Sequence, residues 1–529
     1  MLPSPVEDPA LPGDTGMIPR HARRRLLAAA IAAAASPLAC AGGAAQAKPD
    51  RPHILFLMAD QFRGDCLGSD GNRAIITPHL DRLAAEGARF RCAYSSVPSC
   101  TPARATILTG LSPWHHGMLG YGRVAEQYRR QMPQMLSEAG YHALGIGKMH
   151  YWPQRNLHGF HRTILDESGR SESPGFVSDY RQWFKSAAPE LQPDATGLGW
   201  NDHRAAPYAL PERLHPTRWT GDEAVKFIEQ YGGDRPFFLK VSFARPHSPY
   251  DPPPRWWNRY EGAALPAAGA GDWAERHAQR GKPFRNDLWQ GDLGPEKVLA
   301  ARRGYYGNVS FIDEQVGRIL AALEKRALLE STLILFTSDH GDMLGDHHLW
   351  RKTYAYQPSA RIPMLIRWPE GLVKAKRGQV IDRPVELRDL LPTFLDAAQA
   401  PHEPAWFDGR SLLELVRGRD AGWREWIDLE HATCYAPENY WSALTDGRVK
   451  YVYFAPDGRQ QLFDLEKDPG ETRDLAPLAE HRPTLEAWRR RLAGHLAERG
   501  EPFVVNGDLG LRPKSILYSP AYPRTGSGR

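Results

Sequence analysis

The chain has 529 residues, 42% of them hydrophobic and 24% charged, with a formal net charge of +5. That length favours one large α/β domain with a smaller appendage, and the composition excludes disorder as the dominant state. Acids and bases are interspersed and form no basic stripe, so nucleic acid is not an expected partner.

Residues 1–47 read as an export signal. Arg23, Arg24 and Arg25 precede the apolar run Leu26 to Ala35, and Ala45-Gln46-Ala47 offers small-residue cleavage. The run is too short to span a bilayer. Arg-Arg-x-Leu-Leu is similar to a twin-arginine signal, with Sec export as the alternative, and Met17 is a second candidate start. A periplasmic protein without a transmembrane anchor is expected, with a lipid tether at Cys40 as the alternative. Cys66, Cys92, Cys100 and Cys434 make no disulfide framework; a Cys66–Cys92 bridge has no support from spacing alone.

Residues 48–400 read as the main domain. His53 to Ala59 has the character of a buried parallel strand, and the pattern around Leu80 to Glu86 is helical. Further strand-like runs are Ala143 to Gly147, Phe237 to Phe243 and Thr332 to Thr337. Helix-like stretches separate them, including Thr220 to Gln230 and Val309 to Leu323. Such alternation predicts a large, mostly parallel sheet covered by helices on both faces. Asp166 to Arg218 and Pro252 to Gly294 have little periodicity and are expected to be long, specificity-setting loops, in which Trp200, Trp256 and Trp257 are candidates to stack on sugar rings. Residues 401–529 change character. Tyr440 to Leu444, Lys450 to Phe454 and Gln461 to Leu465, with turns at Asp446-Gly447 and Asp457-Gly458, predict a small antiparallel sheet followed by a helix over Arg482 to Glu498.

Polar residues stand where four of the apolar runs end. These are Asp60-Gln61, then Lys148 with His150, then Arg245-Pro246-His247, then Asp339-His340. In an open α/β sheet the carboxyl ends of the strands form the ligand crevice. Asp60, Gln61, Asp339 and His340 supply three oxygen donors and one imidazole, which suits a hard divalent cation; Ca2+ is the first expectation, with Mn2+ or Mg2+ as alternatives. A single Asp after a strand more often caps a helix, so the weight rests on the matched pairs.

Cys100-Thr101-Pro102-Ala103-Arg104, followed by Thr109-Gly110, is a C-x-P-x-R motif. Pro102 fits the first turn of a helix, which puts residue 100 at an N-terminus that favours an anionic oxygen. With this motif, and with the blocks Gly145 to His150, Pro246 to Tyr250, Ser338 to Asp342 and Leu462 to Leu465, the chain resembles the formylglycine-dependent sulfatases of the alkaline phosphatase superfamily.

The resemblance implies that Cys100 is converted to formylglycine by a dedicated generating enzyme, and that residue 100 also contacts the metal. Its hydrate attacks sulfur, giving a covalent sulfated enzyme. His150 then removes a proton and expels sulfate, Arg104 holds the hydrate, Lys148 and Lys352 grip sulfate oxygens, and His247 serves the leaving group. His116 is expected to be structural. The substrate class implied is a sulfate monoester, aryl or carbohydrate. Gln61 replaces the second Asp of many arylsulfatases, a departure similar to choline-sulfatase-like and phosphonate-monoester-hydrolase-like members. A phosphonate monoester or phosphodiester hydrolase on the same scaffold is therefore the alternative.

Overall fold

Strand β1 (His53–Asp60) lies at the centre of the fold. Its eight residues are buried throughout, as a strand covered on both faces requires. Alternation sends Ile54, Phe56 and Met58 into one hydrophobic core and Leu55, Leu57 and Ala59 into another. The computed structural model describes residues 51–524 except 281, 283 and 284, so the expected export signal lies outside the described residues.

The other strands of this part of the chain are β2 (Ala88–Phe90), β3 (Ala93–Tyr94), β4 (His142–Gly147), β5 (Arg162–Leu165), β6 (Phe237–Pro246), β7 (Thr332–Ser338), β8 (Met364–Arg367), β9 (Gln379–Ile381) and β10 (Val385–Glu386). Seven of them join β1 in one eight-stranded sheet in the order β5-β4-β6-β1-β7-β8-β2-β9, while β3 pairs with β10. From β5 to β7 every neighbouring pair is parallel, and β8 runs against both β7 and β2. The mostly parallel sheet expected from sequence is present.

Helices Pro216–Gln230 and Pro295–Lys325 cover the Leu55 face; Cys100–Thr109 and Leu390–Ala397 cover the Ile54 face. The helix expected over Val309 to Leu323 runs instead for 31 residues from Pro295. Gly304 and Gly307 interrupt its apolar pattern, yet they are where Tyr250 and Pro252 press against it: a Cβ would lie 2.6 Å from Tyr250 O and from Pro252 Cγ. The two expected long loops also contain helices. The first holds a helix over Asp179–Ala187, whose Tyr180 and Phe184 pack with Leu214 and Trp219, and the second holds Pro254–Arg259. Two apolar anchors are too few to show as a period.

The C-terminal sheet is antiparallel, with β11 (Ile427–His431), β12 (Trp441–Thr445), β13 (Val449–Phe454) and β14 (Gln460–Asp464) in sequential order. Leu444, Tyr451 and Leu462 pack with Trp488, Leu492 and Leu496 of the helix Arg482–Leu496. Cys66 and Cys92 are free thiols, so no bridge joins them. Among the described residues no helix is long and apolar enough to cross a membrane.

Candidate active site

The four polar segments singled out in the sequence follow four adjacent parallel strands, β4, β6, β1 and β7. Register brings their ends level: Gly147 pairs with Ser242, Asp60 with Pro246 and Ala59 with Ser338. Gly147 has φ +89°, and a Cβ there would sit 2.1 Å from Ser242 O, so only glycine lets the chain turn here into Lys148. Gln61 and His150 also have positive φ, 68° and 57°. Sharp departures from the strands thus aim the side chains into one crevice.

Cys100 is the first residue of its helix and fully buried. Its Sγ lies 3.2 Å from His340 Nε2, 3.8 Å from Asp60 Oδ1 and 4.0 Å from Lys148 Nζ. One turn on, Arg104 donates from Nε to Asp339 Oδ2 at 2.9 Å and from Nη2 to Asp60 Oδ2 at 3.2 Å, and its Nη1 donates to the Lys148 carbonyl. Lys148 Nζ is ion-paired with the same Asp60 Oδ2.

Each carboxylate therefore turns Oδ2 to fixed cations and Oδ1 to the cluster. Asp339 Oδ1 accepts the backbone N–H of Gln61 and of His340, both at 3.1 Å, and lies 3.7 Å from His340 Nε2. His340 Nδ1 faces the Gly341 carbonyl at 2.8 Å, which leaves Nε2 pointing at the cluster. Donor atoms of Asp60, Cys100, Asp339 and His340 all lie within 4.8 Å of one another, a group able to hold a metal ion. A thiol suits a hard cation poorly, so the donor set fits such an ion best when residue 100 offers oxygen.

Electrostatics follow from the same contacts. Burial pushes the Asp60 carboxyl up, but Lys148, His247, Arg104 and Lys352 outweigh it and hold it well below the usual range. Burial and Asp60 push the Cys100 thiol up, while Lys148, Lys352 and His340 bring it down to about 6. Burial would lower His340, yet Asp339 and Cys100 raise it. His150 and His247 are held well below the ordinary histidine value, chiefly by burial, with Arg170 and Lys148 acting on the first and Lys352 on the second.

His247 has Nδ1 on the Ser248 carbonyl at 2.8 Å, and its buried Nε2 has no partner. Lys352 Nζ donates to Gln61 Oε1 at 2.9 Å, and Gln61 Nε2 donates to Asp342 Oδ2 at 2.5 Å. The ten residues expected to form the site are thus gathered at one end of the sheet. The family model for sulfatases matches residues 52–400. The chain belongs to the sulfatase family. It is accordingly an enzyme, a sulfuric ester hydrolase.

This sulfatase is 39% identical to an arylsulfatase of Clostridium perfringens, over 87% of this chain and 97% of that one. It is 33% identical to a choline-sulfatase of Rhizobium meliloti, over 84% and 87% of the two chains. A second model, the C-terminal part of N-sulphoglucosamine sulphohydrolase, matches residues 345–498. Among solved structures, the phosphonate monoester hydrolase of Agrobacterium radiobacter superposes with a TM-score of 0.71 at 26% identity, covering 85% of this chain and 96% of that one.

Several neighbours of the sulfatase site were not foreseen. Asp342 lies within a quoted motif, yet its task shows only in space: besides Gln61 it accepts Tyr250 Oη at 2.6 Å and the backbone N–H of Leu344 and Arg351. Glu167 Oε1 accepts the N–H groups of Met149 and His150 at 2.9 Å each, fixing the turn. Tyr121 Oη is 3.5 Å from His150 Nε2, and Arg170 Nη1 is 2.5 Å from that atom and 2.9 Å from Nδ1. Arg170 comes from a loop with no motif, so no sequence signal marked it. Trp256 donates its indole N–H to Glu314 of the long helix, and Arg303 lies over Trp257. His116 accepts from Met118 N and meets Thr106 Oγ1 at 3.0 Å, a structural role.

Proposed function

We propose that the chain hydrolyses sulfate monoesters, aryl or carbohydrate, at a formylglycine made from Cys100 and beside a divalent cation held by Asp60, Gln61, Asp339, His340 and residue 100, with Ca2+ the first choice and Mn2+ or Mg2+ the alternatives. The observation that carries this reading is the placing of Cys100 Sγ at a helix start, 3.2 Å from His340 Nε2 and 3.8 Å from Asp60 Oδ1. A bound cation supplies Lewis-acid stabilisation of charge on the ester. Formylglycine supplies an oxygen nucleophile through its hydrate.

The remaining groups bind, orient and move protons. Lys148 and Lys352 approach the cluster from two sides and can take sulfate oxygens; Arg104, anchored on Asp339 and Asp60, neutralises charge at residue 100. His247 Nε2 is the free nitrogen of its ring and serves the leaving oxygen; burial is the main cause that keeps the ring neutral, and an anionic ester offsets the Lys352 charge that adds to it. His150 is held neutral by burial and Arg170, as a base must be. All of residues 100–109 are buried, so the generating enzyme has to act before the chain closes.

We further propose export to the periplasm through residues 1–47, by the twin-arginine or Sec route, with 48–400 as the catalytic domain and 401–529 as a C-terminal subdomain. The mass of the tryptic peptide containing residue 100 tests the central claim, because conversion of Cys to formylglycine removes about 18 Da. An unmodified peptide from fully active enzyme refutes it. The likeness to a phosphonate monoester hydrolase keeps phosphonate esters as the second reading, and matched aryl sulfate and aryl phosphonate rates separate the two.

A further inference from the structure

Arg170 is 8% exposed, and its Nε and Nη2 are buried with no hydrogen-bond partner. Unpaired guanidinium donors are costly in a folded interior, and their persistence in one place points to a missing acceptor. The side chain is well fixed. Gln154 Nε2 donates to its carbonyl at 3.2 Å, Nη1 abuts His150, and the guanidinium carbon stands 3.6 Å from the centre of the Trp200 ring.

Trp200 in turn lies parallel to His247, with ring centres 5.5 Å apart, and Ser248 Oγ donates to the Trp200 carbonyl at 2.8 Å. Arg170 and Trp200 thus bridge His150 and His247, the two histidines given proton-transfer roles in the proposed reaction. A cavity of about 310 Å³ is lined by the same two residues together with Asp166, Tyr180, Tyr208 and Arg245.

The charges around this wall decide what it favours. Arg245 is paired with Asp251 at 2.7 Å, so it contributes little net field. Asp166 has an unpartnered Oδ2; burial raises its pKa, and the Ser168 N–H on Oδ1 together with the nearby Arg245 charge acts the other way. Glu172 lies 3.6 Å from His150 Nε2 and is 39% exposed, so solvent screens it far more than the buried guanidinium. Trp200 already carries Arg170 and His247 against its ring, which makes it a poor platform for a second cation or a sugar face.

Resting on the sulfatase reading, we propose that Arg170 recognises the alcohol half of the ester through an anionic substituent, a carboxylate or second sulfate beside the scissile bond, and disfavours cationic alcohols. Charge-assisted hydrogen bonds from Nε and Nη2 supply the preference. The chain then differs in substrate charge from what the name of its choline-sulfatase relative implies.

The test uses three esters: 4-nitrophenyl sulfate, an aryl sulfate bearing a ring carboxylate, and choline sulfate. Affinities are measured by calorimetry on Cys100→Ala and on Cys100→Ala with Arg170→Gln, so the outcome does not depend on turnover. Cys100→Ala should bind the carboxylate ester about tenfold tighter than 4-nitrophenyl sulfate, whose alcohol half is uncharged, and choline sulfate most weakly, and Arg170→Gln should bring the first two within about twofold. In active enzyme Arg170→Lys should keep part of the kcat/KM preference that Arg170→Gln loses. Equal affinities for all three esters, a preference that survives Arg170→Gln, or choline sulfate as the tightest ligand would overturn the proposal. A total lack of sulfate release with a modified residue 100 would instead refute the sulfatase chemistry.

Discussion

Lys352 Nζ donates to Gln61 Oε1 at 2.9 Å while the amide nitrogen of the same Gln61 donates to Asp342 at 2.5 Å. The side chain therefore joins a cation to an anion, a task that needs an acceptor and a donor on one group. A carboxylate here would still accept from Lys352 but would meet Asp342 as a like charge. One lone pair of Oε1 is used by Lys352, and the other is what a cation would share. Gln61→Ala should lower turnover by about 10- to 100-fold or more, since losing a ligand costs at least as much as losing a group that orients one. Gln61→Glu should lose more stability than Gln61→Ala because it adds a buried charge facing Asp342. Thermal unfolding and metal titration of both variants decide this. Unchanged metal affinity in Gln61→Ala would remove Gln61 from the ligand set.

Cys100→Ala should abolish turnover by on the order of 10⁴-fold or more, as loss of a nucleophile does. Its fold should survive with a stability change within about 1.5 kcal/mol, since only one sulfur is removed from a site held by other pairs. Circular dichroism and calorimetry check the fold, and aryl sulfate hydrolysis checks the rate. Normal turnover by Cys100→Ala or Cys100→Ser would exclude residue 100 as the reacting group.

A pH effect on stability arises away from the site. His115 Nδ1 meets Asp408 Oδ2 at 2.7 Å and Nε2 meets Glu498 Oε2 at 3.3 Å. The Asp408 hydrogen bond is the main cause that raises the histidine from 6.5 to about 8. A raised folded-state value means the contribution is complete below pH 6.5 and is lost as pH rises through about 8. The side chain is 43% exposed, so after solvent screening the effect should be below about 1 kcal/mol. His115→Gln should flatten the slope of unfolding free energy between pH 6.5 and 8.5. An identical slope in that variant would show that other groups produce it.

What the sequence made legible was the part governed by local rules. His53 to Ala59, Ala143 to Gly147, Phe237 to Phe243 and Thr332 to Thr337 are continuous apolar runs, and their ends carry the candidate site. The Asp-Gly turns announced β12 to β14. β11 was missed because Asp428 and Glu430 interrupt it, and these acids are buried against Arg388, His495 and Arg499 from elsewhere in the chain. Arg170, Asp342 and Glu167 were illegible for the same reason: their meaning is set by side chains and turns far along the chain, Glu167 by the N–H of His150 17 positions away, Arg170 by His150 20 positions away and Asp342 by Gln61 281 positions away, which no period or spacing encodes.

The last expectation concerns metal removal and Asp339. Asp339 and Asp60 offer Oδ2 to Arg104, and both Oδ1 atoms face the cluster that includes His340. Two carboxylates thus already neutralise Arg104 and Lys148, so the fold does not require a cation to cancel buried charge. Chelation should therefore abolish activity yet leave a folded protein, lowering its unfolding free energy by the linkage term alone, about 2.7 kcal/mol for an ion present at a hundred times its Kd. Asp339→Asn is different in kind. It removes the acceptor charge from Arg104, fully buried, and deletes one donor from the cluster. Breaking one member of such a buried set costs about 3–5 kcal/mol. The variant should unfold at lower temperature than wild type even when both are metal-free, and added Ca2+ should restore little of the loss. Calorimetry on the four states, wild type and Asp339→Asn with and without Ca2+, gives a coupling energy for ion and carboxylate. If the metal-free proteins melt together and only the Ca2+-loaded ones differ, Asp339 acts on the ion alone and Arg104 finds its counter-charge in Asp60. If Ca2+ raises both melting temperatures equally, Asp339 is not a ligand.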